Sequence, residues 1–373
     1  MPAPLDSESL ADIRDQTNDG PAQNVFLMTE AIAGHRSSPQ LWNSFDVLVM
    51  VIRHINRHLD QPGRLADTND DESLKKAFVE QEAANPILRL AWCRFEPTYQ
   101  SQRDQDVARE AIKAKLWPTS EVPQFMELIR SDVMLSTLFG RDALLLYHPV
   151  VLSQSLEREP SESWYPDGRD ITNARTAEKS LMHWDCEKES LKECVESHFG
   201  MFETAERRYW FRCNKPIIMR VHFTVRPGMF RDNNAHANNH GYDALSRLEI
   251  EGGVWKLDPE AGTIKSVEGK TPYMLYMVVR LGDDRYDQRV LFRRYHLGGQ
   301  MIEEPRNFEH QQRDWKLHDD SGAYVLFYAR CSDNSIPRPL GYRFHEVSRP
   351  VLDEELRARH HAAYTRFWAG GAD

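Results

Sequence analysis

The spacing of apolar positions changes character near the middle of the chain. In the first part they recur every three to four residues, the spacing that lines one face of a helix. This pattern predicts helices over 41–58, 73–84, 105–117 and 122–139, the first closing before the breaker Pro62-Gly63. One more helix is expected over SLKECVESHF, 190–199. Beyond it come short β-branched and aromatic runs with turn residues between them: RRYWFRC (207–213), PIIMRVHFTV (216–225), YMLYMVVRL (273–281), QRVLFRRYHL (288–297) and AYVLFYAR (323–330). Such runs predict strands. The expected fold class is therefore α+β, with a mostly helical N-terminal lobe, an antiparallel β C-terminal lobe and a cleft between them. Residues 1–22 bury too little apolar surface to order and are expected to be a disordered tail. The remaining divisions are a helical lobe over 23–153, a Ser-, Glu- and Pro-rich connection over 154–180, the β lobe with one helix over 181–350, and a C-terminal helix or tail over 351–373.

Composition narrows the function classes. With 373 residues, 40% hydrophobic and 28% charged, the chain can bury a substantial core. Acidic residues outnumber basic ones 57 to 47, a net charge of −10, so DNA is not an expected partner and any RNA contact must rest on a local patch. The five cysteines (Cys93, Cys186, Cys194, Cys213, Cys331) form no CxxC pair, which argues against a disulfide framework and a structural zinc site. Cys194 and Cys213 read as core thiols. A polar, acidic N-terminus and a longest apolar run of only 45–52 give no targeting or spanning segment, so a cytoplasmic location and no membrane partner are expected. His236 and His240, flanked by Asp232 and Asp243, have a helical ligand spacing but lie in an Asn-rich loop. No metal and no cofactor are implied.

Several motifs, in order, resemble the ubiquitin-specific proteases, papain-like thiol hydrolases acting at the C-terminus of ubiquitin. SLKECVESHF (190–199) is similar to that family's "SL-x-ECL-x-x-F" helix, and an aromatic strand with Cys213 follows it. KPIIMRVHF (215–223) is similar to its "PPVLIIHLKRF" strand, and YMLYMVVRLG (273–282) and AYVLFYAR (323–330) to the strands bracketing its histidine region. The matches run over about residues 40–331. The resemblance implies a papain-like two-lobed body, and it also shows what this chain lacks. In QLWNSFDVLVMVI (40–52), Asn43 and Ser44 fit the close of the cysteine box, but the cysteine position holds Gln40 or Leu41. The "GHY" turn falls on Asp284-Arg285-Tyr286, with Arg285 in place of the base. The orienting acid falls on Gly298 in the first of two alignments and on Asp319 in the second. An amide or alkyl group cannot attack as a thiolate does, and a guanidinium cannot accept a proton.

The residues that such a cleft would use follow from this placement. Trp42, Asn43 and Ser44 either cap a helix or form a helix N-terminus that stabilises an oxyanion, and Arg285 and Tyr286 stand where the base stood. Arg293, Arg294 and Tyr295 form a candidate anion patch, and Asp283, Asp284 and Asp287 in LGDDRYDQ could hold a guanidinium. Two functions are expected from different classes. The first is acyl transfer by proximity, with aminoacyl-tRNA as partner, in the manner of the fungal arginine-containing cyclodipeptide synthases of specialised metabolism. This chain is similar to those in being a compact soluble protein, and no residue is carried over from them. The alternative is a catalytically inactive pseudo-deubiquitinase that binds ubiquitin as a scaffold.

Overall fold

A computed structural model describes residues 10–16, 43–59, 72–94, 99–118, 123–148, 150–158, 164–166, 173–185, 188–225, 245–251, 254–258, 263–267, 269–281, 291–294 and 322–331. The architecture is α+β, helices dominating the first half and mostly antiparallel strands the second. The first layer holds α1 (Ile13–Gln16), α2 (Asn43–His58), α3 (Glu72–Ala84), α4 (Pro86–Leu90), α5 (Tyr99–Leu116), α6 (Phe125–Ile129) and α7 (Asp132–Ser136). Helix α2 is buried on all sides from Phe45 to Asn56, its polar residues Asp46, Arg53, His54 and Asn56 included. Two of its charged side chains have partners inside. Asp46 pairs with Arg109 of α5 at 2.8 Å, and Arg53 donates to the Ala91 carbonyl at 2.9 Å. No helix of the described residues is long and apolar enough to cross a membrane.

Three differences from the sequence pattern have local causes. The period over 122–139 continues through two helices, not one, because Ser131 is extended (φ −65°, ψ 144°) and starts α7. Its hydroxyl donates to the Leu128 carbonyl at 2.7 Å, the competition with the helix ladder that Ser offers. The segment 154–180, expected as a connection, contains the end of β1 (Leu152–Ser155), strand β2 (Tyr165–Pro166) and helix α8 (Asn173–Lys179). Within the expected tail, residues 10–14 are docked. Ile13 is fully buried, its N–H bonds Trp92 O at 2.9 Å and Arg94 N–H bonds Ala11 O at 2.8 Å. Arg14 sits between Asp12 at 2.8 Å and Glu82 at 2.7 Å, and Arg89 also pairs with Asp12. Composition averaged over the segment hides that one isoleucine and its reciprocal charges.

The second half continues with β3 (Leu181–Trp184), α9 (Leu191–Glu196), β4 (Gly200–Glu203), β5 (Arg207–Phe211), β6 (Ile218–Val225), β7 (Arg247–Glu251), β8 (Val254–Asp258), β9 (Thr263–Val267), β10 (Lys270–Arg280), β11 (Leu291–Arg294) and β12 (Gly322–Arg330). The expected strands at 207–213, 216–225, 273–281, 288–297 and 323–330 are β5, β6, β10, β11 and β12. The main sheet runs β11-β10-β12-β6-β3 with β7 beside the first half of β10, and a second sheet runs β2-β1-β5-β4. All pairs are antiparallel except β3 with β6. Central strand β12 is covered on both faces, which explains its unbroken apolar run. Val325, Phe327 and Ala329 face the helices, while Tyr324, Leu326 and Tyr328 face Trp184, α9 and β7. A bulge between Leu275 and Met277 in β10 puts Tyr276 on the helical side. There its ring meets His58 edge-on at 4.3 Å. Helix α9 starts with a capping box in which Ser190 and Glu193 satisfy each other's backbone N–H groups.

Candidate functional site

Helix α2 begins where the sequence expects an entrance. Asn43 and Ser44 form its first turn, Ser44 is partly exposed, and no thiol stands there. Its first-turn acid, Asp46, is already occupied by Arg109. Arg293 and Arg294 lie on β11, opposite Val278 and Met277 of β10. Trp42, Asp283, Asp284, Arg285, Tyr286, Asp287 and Tyr295 lie outside the described residues, as do Gly298, Asp319 and the loop with Asp232, His236, His240 and Asp243. The expected constellation is therefore represented by two elements, the start of α2 and strand β11.

The described thiols are not nucleophiles. Burial pushes Cys93 up to about 12, Cys194 up to about 12 and Cys213 up to about 11, and it raises Cys331 as well. A thiol that stays protonated at neutral pH cannot serve as the attacking thiolate. The Cys194 thiol donates to the His183 backbone carbonyl at 3.6 Å.

A different site is built where the main sheet ends at β3. A cavity of about 750 Å³ opens there, walled by α8, β3, the β4–β5 hairpin and the segment after the short 3-10 turn Asp142–Leu144. Each element contributes a polar group for a local reason. The break between α6 and α7 turns Arg130 outward, α8 ends with Lys179, and β3 alternates so that His183 faces away from Met182 and Trp184. Residues 146–148 run beside 212–214, with Tyr147 bridged to Cys213 and His148 N–H donating to Arg212 O at 2.9 Å. That pairing puts the His148 and Arg212 side chains together, Nη2 to Nδ1 at 2.9 Å. Arg212 also donates to Val150 O at 3.2 Å. Phe202 and Phe211 meet edge-to-face at 5.4 Å and give the cavity an aromatic wall.

The charges there are unbalanced. Among the described residues, Arg130, Lys179 and Arg212 line the cavity against one carboxylate, Glu178. Glu178 and Arg130 stand 3.8 Å apart, both about half exposed, a loose pair of little worth. Two of the histidines there, His148 and His183, are held neutral. Burial, then Arg212, lowers His148, and burial, then Arg130, lowers His183. His222, whose Nδ1 lies 3.1 Å from that of His183, is lowered to about 4 by burial first and then by His183 and Arg130. Two neutral imidazoles so placed are half a metal-ligand set. Among the described residues no three His, Cys, Asp or Glu side chains converge. The sequence held one cue to this site, the lone histidine inside the apolar strand LMHW.

No protein-family model and no curated protein matches this chain. Among solved structures it is similar to the Saccharomyces cerevisiae PAN2 pseudoubiquitin-hydrolase, with 10% identity over 82% of this chain and 88% of that one and a TM-score of 0.35. It is also similar to the Ubp8-Sgf11-Sgf73-Sus1 SAGA DUB module, with 10% identity over 82% of this chain and 68% of that one and a TM-score of 0.36.

Proposed function

We propose that this chain is a non-hydrolytic scaffold on a body like that of the ubiquitin-specific proteases, and that it binds ubiquitin. The observation that carries the non-hydrolytic part is the empty cysteine position together with the state of the described thiols. The cysteine position before α2 holds Gln40 or Leu41, and the first cysteine in the chain is Cys93, which is fully buried and held protonated. The ordered motifs of β6, β10, β12 and α9 support the parentage. In this reading Trp42, Asn43, Ser44, Arg285 and Tyr286 line an inherited groove that receives an extended peptide tail.

The test pairs catalysis with binding. A fluorogenic amide on the ubiquitin C-terminus should show no turnover above buffer, while calorimetry on the same preparation should show saturable ubiquitin binding. Turnover that iodoacetamide abolishes, or absence of ubiquitin binding, overturns the reading. Acyl transfer from aminoacyl-tRNA relies on Asp283, Asp284 and Asp287, which lie outside the described residues, and no described contact favours it. A ribonuclease-sensitive, arginine-bearing diketopiperazine in extracts of a producing host would put that chemistry in place of the scaffold.

A further inference from the structure

The cavity at β3 has a charge pattern opposite to that of the chain. Acids exceed bases by ten overall, yet Arg130, Lys179 and Arg212 converge here from three separate elements, with Glu178 as the one opposing carboxylate among the described residues. Three further features point to a ligand. The volume, about 750 Å³, lies within the range of small-molecule sites. Arg212 is held in place by His148 and Val150, so its guanidinium meets a ligand already oriented. The rings of Phe202, Phe211 and Tyr147 face the same space, and Phe202 is 39% exposed.

From this geometry we infer that the cavity binds a small organic anion, a phosphate or carboxylate joined to a flat ring. The anionic group sits between Arg212 and Arg130, where guanidinium forks give charge-assisted bonds. The ring lies against Phe202 and Phe211. His148 and His183 are neutral and take the roles of hydrogen-bond donors or acceptors to the ligand's remaining polar atoms. Binding releases Arg130 from Glu178 at little cost, since that pair is loose and exposed.

Calorimetry on the full chain tests this with four probes: phenyl phosphate, benzoate, inorganic phosphate and phenol. Phenyl phosphate or benzoate should bind one to one, and the tighter of the two identifies the headgroup. It should bind about ten-fold more tightly than inorganic phosphate or phenol, because only a joined ligand uses both walls. Arg212→Gln and Arg130→Gln should each weaken it about ten-fold. Arg130 is half exposed, so its variant keeps the test valid even if Arg212→Gln lowers the melting temperature. Failure of both ring-bearing anions to bind, or binding unchanged in Arg130→Gln, overturns the inference. It is independent of the ubiquitin reading, and the two fail separately.

Discussion

Arg220 and His222 stand two residues apart on one face of β6, and their surroundings differ. Arg220 is fully buried, its guanidinium lying 3.8 Å from the Phe139 ring centroid with one hydrogen bond, to Ala177 O at 2.8 Å. Burial lowers it to about 9, so it stays charged at neutral pH. His222 is half-buried and lowered to about 4, so it stays neutral. One strand face thus runs from a sealed core beneath the helices to a half-buried imidazole beside the cavity residue His183 within a single side-chain repeat. Closure by Phe139 and α8 sets the boundary, not the strand itself. A group that keeps its charge through burial occupies the closed side, and one that sheds its charge occupies the open side.

The contrast can be broken from either side. The largest effect is expected from Phe327→Ala, which empties a fully buried site under the helices and should cost about 3–5 kcal/mol, read as a lower denaturant midpoint. Next comes Tyr276→Phe, which removes a buried hydroxyl 3.4 Å from His54 Nδ1 and should cost about 1 kcal/mol in the same assay. The pH dependence of melting probes the rim. Because His222 is lowered from its ordinary 6.5 to about 4, the unfolded chain takes up a proton over that interval that the folded chain refuses. Stability therefore falls as pH drops from about 6.5 toward 4, with His183, also lowered, adding to the slope. His222→Gln should flatten this fall, and an unchanged slope would remove His222 from it. The smallest effect is expected at Phe202→Ala, on the exposed cavity wall, under about 1 kcal/mol. A loss as large as that at Phe327 would mean the rim is as closed as the core.

Legibility followed the same boundary. Strands β10 and β12 were readable because strands covered on both faces must be apolar nearly throughout, and β5 and β6 from their β-branched and aromatic residues. Helix α9 was readable as the segment SLKECVESHF, and the structure adds the capping box of Ser190 and Glu193 that starts it. Helix α8 and strand β3 were not, since NARTAEK and LMHW are too short for a period to register. The site was less legible than the fold. The expected residues cluster at 42–44 and 283–295, while the described cavity draws on Arg130, His148, Lys179, His183, His198 and Arg212, each an isolated polar residue in its own segment.

By itself the sequence determined the α+β division, the central strands, helix α9 and the lack of a cysteine before α2, because each depends on a residue's own chemistry or on neighbours within one turn or one pleat. Only the tertiary structure decided that residues 10–14 dock, that β3 pairs in parallel with β6, and that six scattered cationic and imidazole groups surround one cavity. Those outcomes depend on contacts between residues tens of positions apart, and chain spacing carries no record of such contacts until packing brings them together.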